Sequence, residues 1–227
     1  MKSRTRAQAA EGKGKRQRQR QPLGKRVFDL LAAGAGLLVL APLLLLVALW
    51  IRLDSPGPVL FRQQRVGRHG VPFDILKFRT MSANPLDGGH GGSQLTVGRD
   101  PRITRAGRFL RRSKLDELPQ LINVLQGTMS LVGPRPEVPR YVACYPPTVR
   151  ATVLSVAPGI TDLASILYKE ESEILGRAAD PERTYVETIL PVKLDYYQRY
   201  VRERSFWLDL RIIFRTLAAV LRRVTMQ

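Results

Sequence analysis

Cysteine is nearly missing from this chain. Cys144 stands alone among 227 residues, which excludes an intrachain disulfide and any cysteine-built metal centre, and fits a reducing, cytoplasmic setting. Histidine is as scarce: His69 and His90 are isolated and carry no assigned role. No internal repeat is present. The glycine-rich stretch 84–98 around His90 lacks the Gly-Lys-Ser/Thr of a P-loop and the strand-turn-helix setting of a dinucleotide fold, so it reads as a surface loop. Negative charge is the third shortage, with 19 Asp and Glu against 37 Lys and Arg and a formal charge of +18.

That charge is unevenly placed. Residues 1–26 hold ten Lys and Arg and a single acid, Glu11. A segment so polar cannot bury enough apolar surface to fold alone and reads as a disordered tail attracted to polyanions, either nucleic acid or anionic lipid. Its neighbour points to anionic membrane lipids, because basic clusters beside apolar segments are drawn to them. No nucleic-acid partner is expected.

The neighbour runs from Leu30 to Ile51, 22 residues without a charge. As a helix it measures about 33 Å, enough to cross a bilayer. Pro42 divides it into arms of roughly 18 and 13 Å, each too short to cross. Arg52, Arg62, Arg65 and Arg68 follow, so Lys and Arg flank both ends and both are drawn to the cytoplasmic side. A re-entrant helix-break-helix is therefore expected, with a Pro-kinked spanning helix as the alternative. A cleaved secretory signal fits poorly, because no small-residue cleavage site follows.

The remaining 176 residues suffice for one domain with a real core. The segments 59–66 and 71–78 flank Gly67-Arg68-His69-Gly70 and predict a β-hairpin. From Arg102 to about Gly127 the pattern is helical, with Ile103, Leu110, Leu115, Leu118, Leu121, Ile122 and Leu125 as its apolar face. Val132-Gly133-Pro134-Arg135-Pro136 ends any helix, and Ala157-Pro158-Gly159-Ile160-Thr161 is a second turn. An acidic stretch covers 169–173. Residues 194–224 read as one helix mixing aromatic, aliphatic and Arg residues, suited either to packing on the domain or to the membrane interface.

Cations precede two acids at one place. Arg102, Arg105 and Arg108 recur every third residue, then come Arg111, Arg112, Lys114 and the pair Asp116-Glu117. A solvated basic face balanced by surface acids is one reading. The other is a phosphate-handling site, since arginine forks match phosphate oxygens and magnesium takes one or two carboxylates plus substrate phosphates.

The run FLRRSKLDELPQLINVLQGTMSLVGPRPE (109–137), with KRVFDLLAAGAGLLVLAPLLLL (25–46), GPVLFRQQRVGRHGVPFDILKFRTM (57–81) and PGIT (158–161) in the same order, resembles the bacterial sugar transferases, or monotopic phosphoglycosyl transferases. The resemblance covers residues 25–220. It implies an enzyme that takes a UDP-sugar and undecaprenyl phosphate, releases UMP and leaves the sugar on a polyprenyl diphosphate. It implies Asp116 as nucleophile and magnesium ligand, and Glu117 as a positioning or proton-handling partner. Arg111 and Arg135 fall on the family's phosphate-binding arginines, with Arg112 beside them. The family's membrane helix break matches Ala41-Pro42.

Two departures stand out. Thr128 replaces the acid of the family's Gly-Asp-Met-Ser, and Asp162-Leu163-Ala164-Ser165 replaces its usual continuation after PGIT. The four transmembrane helices of longer members are also not expected. The expected fold is α+β, mainly helical: a basic tail (1–26), a re-entrant membrane hairpin (27–51) and a catalytic domain (52–227) with a short β-hairpin and interfacial amphipathic helices. It is expected on the cytoplasmic face of the bacterial inner membrane. The alternative is a membrane-tethered, non-catalytic binder of nucleic acid or anionic lipid.

Overall fold

Leu23–Asp54 forms one helix, α1, with Pro42 inside it, in a computed structural model that describes residues 22–82, 100–167 and 171–225. The break expected at Ala41-Pro42 is therefore not a gap between two helices. A proline removes one N–H, but the Leu, Val and Ala residues on either side continue the ladder past it. Among the described residues, α1 is the one helix long and apolar enough to cross a membrane. Most of the basic tail, the glycine-rich loop and residues 168–170 lie outside the described residues.

Both ends of α1 are fastened to the domain. At its start, Arg26 donates to the carbonyls of Val124 (2.6 Å) and Leu125 (3.0 Å), and the Asp29 carboxylate accepts from the Leu131 N–H. At its end, the Arg79 guanidinium donates to the carbonyls of Ile51, Ser55 and Pro56, tying the last turn of the helix to the residues that follow it. Val47 and Ile51 pack there against Phe78 and Leu110, and each such buried side chain contributes about 2 kcal/mol. Between these anchors Leu38, Val39, Leu45, Leu46 and Leu49 are exposed.

The predicted hairpin is present. β1 (Leu60–Val66) pairs antiparallel with β2 (Pro72–Phe78), from Leu60 opposite Phe78 to Val66 opposite Pro72. Next come α2 (Arg105–Ser113), a 3₁₀ turn (Leu115–Glu117) and α3 (Gln120–Gln126). The single helical pattern over 102–127 is thus broken in three, because Lys114 adopts a left-handed backbone (φ 60°) and caps α2. β3 (Ser130–Val132) leads through Gly133-Pro134-Arg135-Pro136 to α4 (Pro139–Ala143) and α5 (Pro147–Val153). β4 (Gly159–Thr161) then pairs parallel with β3.

The C-terminal part comprises α6 (Leu163–Leu167), α7 (Glu171–Gly176), α8 (Pro181–Thr184), a wide π turn (Tyr185–Ile189), α9 (Leu190–Glu203) and α10 (Phe206–Thr225). The one helix expected over 194–224 is two, because Arg204 is extended and Ser205 restarts the chain by accepting from the Leu208 N–H. The largest core cluster joins Tyr141, Tyr145, Tyr185, Leu190 and Tyr197 under α4, α5 and α9. α10 returns to α1, where Lys25 and Asp209 pair at 2.6 Å and Phe28 meets Phe206 edge-on. The fold is mainly helical α+β, as expected.

Candidate active site

The left-handed Lys114 turns the chain out of α2 into the 3₁₀ turn, which points both acids of the dyad inward. Asp116 and Glu117 are 8% and 9% exposed, so neither is surface decoration. Burial of adjacent carboxylates is costly unless cations compensate.

The compensating cations come from outside the arginine run. Lys77, on β2, donates to Glu117 Oε1 at 2.9 Å, and Arg135 grips the same carboxylate with Nη2 at 2.5 Å and Nη1 at 3.4 Å. β2 is held beside the dyad by Asn123 on α3, whose amide accepts from the Leu76 N–H and donates to the Asp74 carbonyl. This side chain completes the strand's open edge as another strand would.

Arg135 is set in place by the two turn motifs. A Cβ on Gly159 would lie 2.0 Å from the Gly133 nitrogen, so the chains can only approach with glycine at this contact. The approach lets the Gly133 N–H reach the Thr161 carbonyl and the Gly159 N–H the Pro134 carbonyl. The prolines on either side of Arg135 then fix its backbone.

The environment separates the two acids. Burial pushes the Glu117 carboxyl up, but Arg135, Lys77 and Lys114 outweigh it and hold the group well below its usual range. Burial, and then the charge of Glu117, raise the Asp116 carboxyl, against the pull of Lys77, Lys114 and Arg111. Asp116 Oδ1 is buried without a hydrogen-bond partner. It is a buried acceptor whose hydrogen-bonding capacity the protein itself does not use.

Among the described residues no three His, Cys, Asp or Glu side chains gather into a metal cage. A magnesium ion that takes one carboxylate and completes its shell with phosphate oxygens and water would be compatible with these donors, and Asp116 is the carboxylate that could hold it. Arg111 is half-buried and its charge acts on Asp116, whereas Arg112 is exposed. Arg102 is paired with Asp100 at 2.6 Å, and Arg105 and Arg108 are exposed. A cleft of about 380 Å³ opens beside Lys114, Glu117 and Arg135.

Residues 20–223 match the family model described as bacterial sugar transferase. The chain belongs to this family. Similar proteins include the UDP-glucose:undecaprenyl-phosphate glucose-1-phosphate transferase of Caulobacter vibrioides, 41% identical over 88% of this chain and 70% of its own. The UDP-N-acetylgalactosamine-undecaprenyl-phosphate N-acetylgalactosaminephosphotransferase of Aeromonas hydrophila is 38% identical over 87% and 43%. The exopolysaccharide production protein PSS of Rhizobium leguminosarum bv. phaseoli is 40% identical over 88% and 96%. The chain thus spans less than half of the Aeromonas relative and nearly all of the Rhizobium one.

In this sugar transferase the structure brings Asp116, Glu117 and Arg135 together, keeps Arg111 near and leaves Arg112 exposed. Sequence reasoning missed Lys77 and Asn123. A lysine next to apolar residues of a strand was the available signal for the first. The second had none, since an Asn within a helix ordinarily faces solvent.

Proposed function

We propose that this sugar transferase moves a sugar-1-phosphate from a UDP-sugar to undecaprenyl phosphate or a similar polyprenol phosphate and releases UMP. It would serve as the first membrane step of exopolysaccharide or other glycoconjugate synthesis. The relatives' names supply the substrate classes. The observation that carries the chemistry is Asp116, a buried carboxylate with an unpartnered oxygen among cations.

The reaction runs in two displacements. An Asp116 oxygen attacks the sugar-linked phosphorus; as that bond forms, the bond to the bridging oxygen breaks and its electron pair leaves with UMP. An oxygen of the acceptor phosphate then attacks the same phosphorus, and the Asp116–phosphorus bond breaks to restore the carboxylate. Both nucleophiles and both leaving groups are oxyanions, so no proton has to move. Glu117, held ionised by two cations, therefore acts as the anchor that aims Lys77 and Arg135 rather than as a proton carrier. Arg111, Lys77 and Arg135 bind phosphate oxygens and stabilise charge spread over them. A magnesium ion at Asp116 supplies further charge neutralisation when bound.

We also propose a monotopic placement, with both ends of α1 on the cytoplasmic face of the inner membrane. Support comes from the anchoring of both ends to one domain, by Arg26 and by Arg79. A helix that crossed fully would carry one anchor away from the domain. The exposed leucines between the anchors, and Trp207, Phe214 and Leu217 on α10, supply an apolar surface for the bilayer.

The deciding experiment incubates the full chain in detergent with magnesium, a panel of UDP-sugars and a polyprenol phosphate, and measures UMP. Asp116→Asn is expected to lower release by roughly a thousandfold or more. Robust turnover by that variant, or none by the wild type with any UDP-sugar, overturns the reading.

A further inference from the structure

The cleft beside the dyad is chemically lopsided. Its walls are Leu40 of α1, Leu121 of α3, Leu131 and Ile160 of the parallel strand pair, and Ile213 and Leu217 of α10. Charge occurs at one end, where Lys114, Glu117 and Arg135 stand. Three of the lining hydroxyls spend their protons within the protein. Ser113 donates to the Phe109 carbonyl, Ser165 to Asp162, and Thr216 to the Ile212 carbonyl. The Thr216 oxygen in turn meets Thr161 at 2.6 Å; with the Thr216 proton already committed, Thr161 is the donor. The wall away from the charged end is thus apolar in effect as well as in composition. The Thr161–Thr216 bond also ties α10 to β4, setting the width of the cleft.

The far end leads to apolar surface. Leu217, half exposed, belongs both to the cleft and to the outer face of α10, and Leu40 follows the exposed Leu38 and Val39 of α1. An apolar passage therefore connects the dyad to the part of α1 that faces away from the domain. A nucleotide or a sugar would leave most of its hydrogen-bonding groups unpaired in such walls. A hydrocarbon chain ending in a phosphate matches both the walls and the charged end.

We propose that this cleft holds the phosphate-proximal isoprene units of the acceptor, with α10 as one wall and the acceptor phosphate at the Lys114–Arg135 end. This rests on the proposed reading that the acceptor is a polyprenol phosphate. With about 380 Å³, the cleft takes only the first few isoprene units, and the remainder of the chain passes out between α1 and α10.

The test uses the full chain in detergent, without UDP-sugar, and a short prenyl phosphate bearing a photoreactive group on its second isoprene unit. Label is expected on α10 between Ile213 and Val220 or at Leu40, and unlabelled prenyl phosphate should compete it away while phosphatidic acid does not. Label elsewhere, or equal competition by phosphatidic acid, overturns the proposal. As a second arm, Leu217→Trp should raise the acceptor KM about tenfold, the scale of a remade apolar contact. An unchanged acceptor KM overturns it, and should the variant fail to fold, the labelling of the wild type decides. Absence of any acceptor-dependent turnover in the wild type would instead count against the reaction itself, whereas normal turnover with label elsewhere counts only against the cleft.

Discussion

Arg135 holds Glu117 by two prongs, at 2.5 and 3.4 Å, across 18 positions of sequence. The pair explains how adjacent carboxylates acquire different chemistry: one is clamped and kept ionised, while its neighbour is raised by burial and left with an open oxygen. Environments that separate two like groups are a recurrent way of dividing roles between them.

Replacing Glu117 by Gln should therefore hurt twice. Lys77 and Arg135 would be left as half-buried cations with a neutral partner, a loss of about 2 kcal/mol, and both would lose their aim on substrate phosphate. Denaturation and UMP release measured together check this. Full stability with a shifted pH optimum would instead make Glu117 a proton carrier.

Gly159→Ala should displace Arg135 without touching it. The added Cβ meets the Gly133 backbone at 2.0 Å, neither strand can yield without breaking the β3–β4 bonds, and a cost of about 3 kcal/mol follows. A variant that melts like the wild type and turns over normally would show that the two motifs can separate freely.

Arg79→Met removes the donor that closes the end of α1 on three carbonyls. A loss of about 2 kcal/mol is expected, with faster proteolysis around residues 52–58. Unchanged cleavage there would mean that packing of Val47 and Ile51 alone secures the helix end.

Asp162 offers a pH test. Burial raises its carboxyl above the usual value, against the bonds from Ser165. A raised folded value means that the native state holds the proton longer than the unfolded chain does. No destabilisation is felt below the unfolded value of about 3.9, and stability is lost as pH rises through the folded one. Asp162→Asn should remove that slope, so its melting temperature gains on the wild type from acid to neutral pH. Parallel curves would refute the assignment.

Topology is checked with Cys144 replaced and single cysteines introduced at Gly24 and Gly57. Both are expected to react with an impermeant thiol reagent from the cytoplasmic side. Reaction from opposite sides would make α1 a crossing helix.

The hairpin was legible because its strands are short, apolar-rich and separated by a glycine-bounded turn, all local signals. The Asp116-Glu117 pair was legible through its motif. The breaks at Lys114 and Arg204 were not, since a lysine takes a left-handed backbone, at a cost of about 1 kcal/mol, only where tertiary contacts compensate, and the Arg204 angles mark no residue type. The spacing of Arg102, Arg105 and Arg108 left a solvated basic face and a phosphate site both open, whereas the groups that touch Glu117 are Lys77 and Arg135.

By itself the sequence determined which residues could do the chemistry and that an apolar helix adjoins them, because residue type and hydrophobic runs are local properties. Tertiary structure alone decided which cations meet Glu117, which oxygen of Asp116 stays open and where the apolar cleft runs. Those outcomes depend on burial and on contacts between β2, the Arg135 turn and α10, and no spacing within a single segment encodes them.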